Sequence, residues 1–345
     1  MELDKLFAFF GELLAQIGLA GVALTVVVNV LVAAMLLGVL AVMALFLVWW
    51  ERKVSAHIQD RLGPMRVGWH GSLQTLADGV KLLQKEDITP ANADRPVFFW
   101  APVIVYTSCF MAYVTIPWGK GLIPADLNIG ILYIIAITTF TVISLLMAGW
   151  GSNNKWALLG GMRSAAQIIS YEVPLTLSIL GVIILAESLS MQTIVAGQQG
   201  IWNWYIWRQP LGFLIYIIAA TAEVNRTPFD LPEAEQELVA GFNVEYSGMK
   251  FAMFFLAEFL NMFTVSAIAT TLFLGGWNGP VLPSWMWFIG KTLAVVFVLM
   301  WFRWTYPRLR VDHLMEFAWK WLLPLAFLNL VLTGIGYELW QRIFG

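Results

Sequence analysis

Carboxylates embedded in apolar sequence are the first residues in this chain that could do chemistry. Between Thr221 and Lys250 stand Glu223, Asp230, Glu233, Glu235, Glu237 and Glu245, with Arg226 and Lys250 as the bases. Glu172, in IISYEVPL, and Glu258, in FFLAEFLNMF, are more isolated still. A charge at the centre of a bilayer costs about 2.5–3.5 kcal/mol or more, so such residues turn toward a bundle interior. Crowded together there, they cannot all ionise comfortably, and carboxyls whose pKa rises toward neutrality can pass protons or answer to a nearby charge. Structural ion pairs with Arg163, Arg226 or Arg303 are the competing account of the same residues.

The elements that position these groups follow from prolines and apolar runs. Pro228 and Pro232 break any continuous helix through the acidic stretch. Asp230 can cap a new short helix, with Glu233 three residues on as in a capping box and Gly241 as the stop. Capping accounts for part of the acidity, since carboxylates suit a helix N-terminus. It does not account for Glu223, Glu237 or Glu245.

Composition sets the class. Hydrophobic residues make up 59% and charged residues 12%, against about a quarter charged in soluble domains. The runs Leu13–Trp50, Pro96–Gly119, Leu127–Asn154 and Phe259–Gly290 carry few or no charges and exceed the roughly 20 residues that cross a bilayer. The expected fold is an all-α polytopic membrane protein, one integral membrane domain over 1–345. Its eight spans fall at 21–48, 97–117, 129–150, 166–187, 209–224, 250–274, 284–302 and 320–341. The fifth is short and continues into the acidic stretch. The amphipathic N-terminus, 1–20, lacks the basic start of a signal peptide and is expected to lie in the membrane interface.

Orientation follows from the bases. With the segment after the first span inside, fifteen Lys and Arg fall on inner segments and five on outer ones, which places both termini outside. The polar mass is then lopsided, with inner segments at 51–96, 151–165, 225–249 and 303–319, as a docked partner requires. Within the first of these, residues 70–86 form an amphipathic helix. Leu73, Leu76, Val80 and Leu83 make one stripe, and Gln74, Asp78, Lys81 and Lys85 its neighbour. That helix should lie along the inner membrane surface, with Asp78 and Lys81 able to line a polar opening.

Other chemistries find little support. The single cysteine, Cys109, lies inside a span and cannot build a disulfide within the chain or a multi-thiolate metal site. His57, His70 and His313 lack metal spacing, and no metal site is expected. Gly290-Lys291-Thr292 imitates the end of a P-loop, but Trp285 stands where its first glycine belongs. Lys291 is expected to snorkel to the outer interface.

Five motifs in order carry a family resemblance. Glu51-Arg52-Lys53, then Gln59, Arg61 and Gly63-Pro64, resembles ER(R/K)…Q-x-R-x-GP. Leu76-Ala77-Asp78-Gly79, Lys81 and Lys85-Glu86-Asp87 resemble LADG…K…KED. There follow GWGSNNKWALLGGMRSAAQIISYEVPL from Gly149, NRTPFDLPEAEQELVAGFNVEYSGMKF from Asn225 and RWTYPRLRVDHLMEFAWKWLLPL from Arg303. From about residue 45 to the C-terminus the chain resembles the family of quinone-chamber membrane subunits of the proton-pumping NADH-quinone oxidoreductase, respiratory complex I. Met65 stands where that family commonly has asparagine, and Val224 where it has threonine.

The resemblance implies a subunit at the junction of membrane and peripheral arms, whose inner loops help form a quinone chamber. Arg52, Lys53, Arg61, Asp78, Lys81, Arg226, Phe229, Asp230 and Arg303 then belong near the chamber. Glu172, Glu223, Glu233, Glu235, Glu245 and Glu258 belong to an acidic funnel that couples it to proton pumping. The implied substrate is a quinone, ubiquinone or menaquinone, with no FMN, iron–sulfur cluster or NAD bound by this chain. The implied partners are peripheral-arm quinone-site and iron–sulfur subunits, small and antiporter-like membrane subunits, and lipid, with no nucleic acid. The implied location is the bacterial inner membrane, with both termini periplasmic. The rival expectations are the equivalent subunit of a membrane-bound hydrogenase or another complex-I-like enzyme, and a stand-alone proton-coupled transporter.

Overall fold

The structure, a computed structural model, describes residues 22–231 and 239–344. The described residues form helices and connecting turns without a strand. In chain order the principal helices are α1 (Val22–Ile58), α2 (Gln74–Gln84), α3 (Arg95–Ala112), α4 (Gly130–Thr138), α5 (Phe140–Gly151), α6 (Lys155–Ala186), α7 (Pro210–Glu223), α8 (Gly248–Phe273), α9 (Ser284–Thr305) and α10 (Leu323–Phe344). Among the described residues seven helical stretches are long and apolar enough to cross a membrane, α4 and α5 counting as one; α7 is apolar but shorter.

The eight expected spans are all present as helices, with two corrections to their edges. α7 does not continue into the acidic stretch but stops at Glu223. Asn225 takes the left-handed φ of +54°, its N–H reaches Ala222 O at 3.1 Å, and the Arg226 N–H reaches Thr221 O at 3.3 Å. This is a Schellman stop, with asparagine tolerated where glycine is commoner. α6 begins at Lys155, so most of 155–165 is helix and the connection to α5 is only a short turn. The expected interfacial segment 1–20, and the helix expected after Asp230, lie outside the described residues.

α8 is the axis of the bundle. Apart from Lys250, Glu258 and Asn261 it is apolar around its circumference, and it is studded with Ala, Ser and Thr, the composition that lets helices approach closely. It packs against α1, α2, α3, α7 and α9. In its most apolar window 67% of residues are buried, against 22% for α1, which therefore lines the rim. Close approach also sets the α5–α6 hairpin. A Cβ on Gly149 would lie 2.8 Å from Ala157 O, and one on Gly160 would lie 2.6 Å from Gly241 Cα. The second contact seats the segment after the acidic stretch directly on α6.

α1 spans 37 residues, about 55 Å at 1.5 Å per residue, whereas a hydrocarbon core is about 30 Å thick. Its last turns therefore project, and they carry Glu51, Arg52 and Lys53. Most of the remaining charge gathers at that same end of the bundle, around residues 59–94 and 225–231 and after α9.

Candidate functional site: a charge network at the polar end of the bundle

Successive residues on a helix point about 100° apart, and the three charges ending α1 take three directions. Lys53 turns to the connecting loop, where Nζ donates to Pro64 O at 2.7 Å. Arg52 turns to α2, where Nη1 donates to Asp78 Oδ2 at 2.6 Å. Glu51 turns inward and accepts from Arg226 Nη1 through both oxygens, at 2.7 and 2.8 Å. It also accepts from Arg303 Nη1, at the end of α9.

Arg226 is the hub. Its side chain is 3% exposed and that of Glu51 7%, so the pair is cut off from water. The Schellman stop of α7 aims it across the bundle, where Nε lies 2.8 Å from Glu258 Oε1 on α8. The guanidinium carbon sits 4.6 Å from the centre of the Phe259 ring. Two carboxylates from separate helices thus share one guanidinium, and a second arginine draws on the more buried of them. Paired and stacked in this way, buried charges are tolerated.

Gln167 of α6 sets the backbone around that hub. The two hydrogens of its Nε2 donate to Ala222 O and Phe229 O, both at 2.7 Å, with Asn225 Oδ1 at 3.1 Å sharing one of them. One side-chain amide thereby fixes the end of α7 and the turn beyond it. Phe229 rests against Tyr171 with ring centres 5.4 Å apart, and Pro228 O accepts from the Leu309 N–H at 3.1 Å. Asp230 is held by an arginine from beyond α9. Its Oδ2 accepts from Arg308 Nη2 at 2.8 Å, while Oδ1 is buried with no hydrogen-bond partner among the described residues. Burial raises the Asp230 pKa above the usual carboxylate value, with Arg308, Arg303 and Arg226 pulling it back only in part.

Asp78 shows the opposite balance. Partial burial pushes its pKa up, but the Arg52 and Gln74 hydrogen bonds and the charges of Arg52 and Lys81 outweigh this and hold it below the usual value. The Arg52–Asp78 pair stands at the lip of an apolar cavity of about 320 Å³ between α1, α2 and α8. Leu45, Val48, Leu76, Val80, Leu83 and Phe255 form its walls. The exposed leucine stripe expected of the amphipathic helix is thus in part the wall of a cavity. Lys81 is exposed on α2, and Arg61 is exposed and donates to Gln59 Oε1 at 2.6 Å.

The carboxylates inside the bundle form a second line leading away from the hub. Glu258 and Glu223 both line a cavity of about 50 Å³, with Thr141, Asn225 and Asn261. Glu223, Thr141 and Asn261 also line a smaller cavity of about 10 Å³ that reaches Thr138 and Thr264. At the break between α4 and α5, Thr139 Oγ1 donates to Glu172 Oε1 at 2.8 Å. Glu245 stays at the polar surface, accepting from Asn154 Nδ2 at 2.7 Å. Asn154 caps α6 with its other amide atom, 2.9 Å from the Trp156 N–H. Glu233 and Glu235 lie outside the described residues.

The structure therefore joins what the sequence keeps as two groups. Arg226, expected with the chamber, meets Glu258, expected with the funnel, directly, and Arg303 joins them through Glu51. Glu51 and Gln167 are the members that sequence reasoning misses. Glu51 carries a visible signal, as the carboxylate that directly ends a long apolar run; Gln167 has no charge and offers no comparable one. Lys291, expected at the outer interface, is instead buried, with its ammonium donating to three backbone carbonyls. Among the described residues no cluster of His, Cys, Asp and Glu could hold a metal ion.

A family model described as NADH dehydrogenase matches residues 30–334. A protein of Carboxydothermus hydrogenoformans, named as a subunit of NADH-quinone oxidoreductase, is 51% identical over 89% of this chain and 89% of its own length. Proteins of the same name from Geobacillus kaustophilus and Dehalococcoides mccartyi are 52% and 53% identical, over 88% and 87% of this chain and 92% and 84% of their own lengths. With nearly its whole length covered at such identity, the chain belongs to the NADH dehydrogenase family, alongside these subunits of NADH-quinone oxidoreductases.

Proposed function

We propose that this chain is the membrane subunit of a proton-translocating NADH:quinone oxidoreductase, complex I, that admits quinone and couples its reduction to proton movement. The observation that carries the reading is an apolar cavity and a buried charge network set side by side, one at Arg52 and the other at its neighbour Glu51. The cavity between α1, α2 and α8 has the size and apolar walls suited to an isoprenoid tail, and Arg52–Asp78 marks its polar lip. The neighbouring residue on α1, Glu51, enters the Arg226–Glu258 network; Glu258 shares a cavity with Glu223, a smaller cavity extends from Glu223 to Thr138, and the adjacent Thr139 holds Glu172.

A quinone takes up two electrons and two protons on reduction. On this reading the electrons come from partner subunits docked on the polar end of the bundle, and this chain supplies no redox centre. It contributes the greasy entry, the cationic wall of Arg52, Lys53, Arg61, Lys81, Arg226 and Arg303, and the anionic line that answers to charge at the chamber. Protonating or deprotonating one member of the network changes which arginine the others hold, and the segment around Asp230 is the element that such a change biases. The polar end then faces the cytoplasm and both chain ends the periplasm, in a bacterial inner membrane.

The test is affinity purification of the tagged chain from native membranes in mild detergent. Co-elution of flavin, iron–sulfur signals and inhibitor-sensitive NADH:quinone activity is expected. Hydrogenase activity without NADH oxidation would replace the electron donor, and a lone chain that moves protons in liposomes would overturn the reading.

A further inference from the structure

At the end of the bundle opposite the charge network, Lys291 is buried and no carboxylate pairs with it among the described residues. Its ammonium donates to Leu274 O at 2.7 Å, Asn278 O at 2.8 Å and Gly276 O at 3.0 Å. It lies 4.1 Å from the ring centre of Trp204 and 5.8 Å from that of Trp287. Three N–H donors meet three acceptors, with aromatic faces beside them, at the C-terminus of α8 where the helix dipole favours a cation.

The cage is built by the chain around it. Gly275 and Gly276 take φ of +70° and +49°, and a Cβ on Gly275 would lie 2.4 Å from Trp204 Nε1. The Gly275 N–H donates to Gln198 Oε1 at 3.0 Å, and Asn278 Nδ2 donates to Val195 O at 2.8 Å. Trp204, Asn278 and Gly279 also line an open depression of about 610 Å³ with Lys120 and Gln199, so solvent reaches the wall of the cage.

We infer that these carbonyls and tryptophans form a primary-ammonium site whose occupant is the chain's own Lys291, and that filling it makes Lys291 a positioning residue for α8 and α9. α9 is held to α8 at this end by Lys291. At its other end, twelve residues or about 18 Å on, Arg303 reaches Glu51 in the network that includes Glu258 of α8. The axial register of the two helices is thus pinned at both ends, and the ammonium holds one of them. The consequence for turnover rests on the function proposed above; the site itself does not.

The experiment uses the assembled complex carrying Lys291→Ala, which removes the atoms of n-propylammonium. Its thermal midpoint is expected to fall by several degrees and quinone reductase turnover to fall with it, while reduction of an artificial acceptor by NADH is unchanged. n-Propylammonium chloride is expected to restore both, and tetramethylammonium, which cannot donate, or potassium at equal concentration is not. A wild-type midpoint in Lys291→Ala, no restoration by propylammonium, or equal restoration by tetramethylammonium overturns the site. A midpoint that recovers without turnover overturns the positioning role and leaves the site standing. Should Lys291→Ala not assemble, recovery of complex from Lys291→Arg and Lys291→Met membranes decides. Recovery of Met at or above Arg overturns the proposal, and Arg above Met supports it.

Discussion

Glu51 and Arg226 lie 175 residues apart in the chain and meet at 2.7 Å in a pocket that excludes water. Nothing in either local sequence requires the other. Their meeting makes Arg226 the shared cation of α1 and α8, and makes the projecting end of α1 part of the carboxylate line.

Removing the hub should be worse than removing one of its acceptors. Arg226→Ala leaves Glu51 and Glu258 without their shared cation, at a cost of about 3–5 kcal/mol for a broken buried pair. Little assembled complex is then expected in membranes, read by native gel. Glu51→Gln leaves Arg226 with Glu258, and leaves Arg303, which is 32% exposed, free to hydrate. Assembly should survive with reduced quinone turnover, and the double variant should be less than additive. Additive losses would mean that the two side chains do not act as a unit.

Gln167→Ala should act through the backbone. It removes one donor each from Ala222 O, Asn225 Oδ1 and Phe229 O, but Ala222 O keeps the Asn225 N–H and Phe229 O the Leu231 N–H, so each lost bond costs about 0.5–1.5 kcal/mol. Faster hydrogen exchange at residues 222–231, with α8 unchanged, is the expected signature. Unchanged exchange there would remove Gln167 from its organising role.

Asp230 carries a pH dependence of definite sign. Its pKa is raised by burial, so its contribution to stability is full below the unfolded value of about 3.9 and is lost as pH rises through the folded value. At neutral pH the ionised group is a net burden. Asp230→Asn should therefore match or exceed wild-type thermal stability at pH 7, within about 1 kcal/mol because the Arg308 side chain is 43% exposed and its pair with Asp230 is screened. The advantage should vanish in acid. A variant less stable at pH 7 than at pH 4, relative to wild type, would contradict this. Asp230→Ala should impair quinone reduction while NADH oxidation by an artificial acceptor continues; loss of both would mean failed assembly.

Glu245→Gln keeps the shape at the Asn154 contact but removes the charge. The amide oxygen still accepts from Asn154, so the complex should assemble, and the lost charge is expected to lower quinone turnover and proton pumping together. Wild-type turnover would exclude Glu245 from the coupling path.

The sequence by itself determined the class, the helices and the family. Apolar runs too long for a soluble core leave the bilayer as their solvent, and backbone groups in that solvent must bond within a helix. Motifs such as Glu51-Arg52-Lys53 and Asn225-Arg226 mark described residues that stand at the polar end, because type and order suffice for that. Only the tertiary structure decided pairing. Whether Asp78 would face Lys81 or Arg52 depends on where α2 lies against α1, and it faces Arg52. Whether Lys291 reaches out or in depends on the glycine turn after α8, whose carbonyls face inward and capture it. Long-range electrostatics in a dry interior is set by angstrom-scale placement, and placement comes from packing that a single stretch of sequence does not contain.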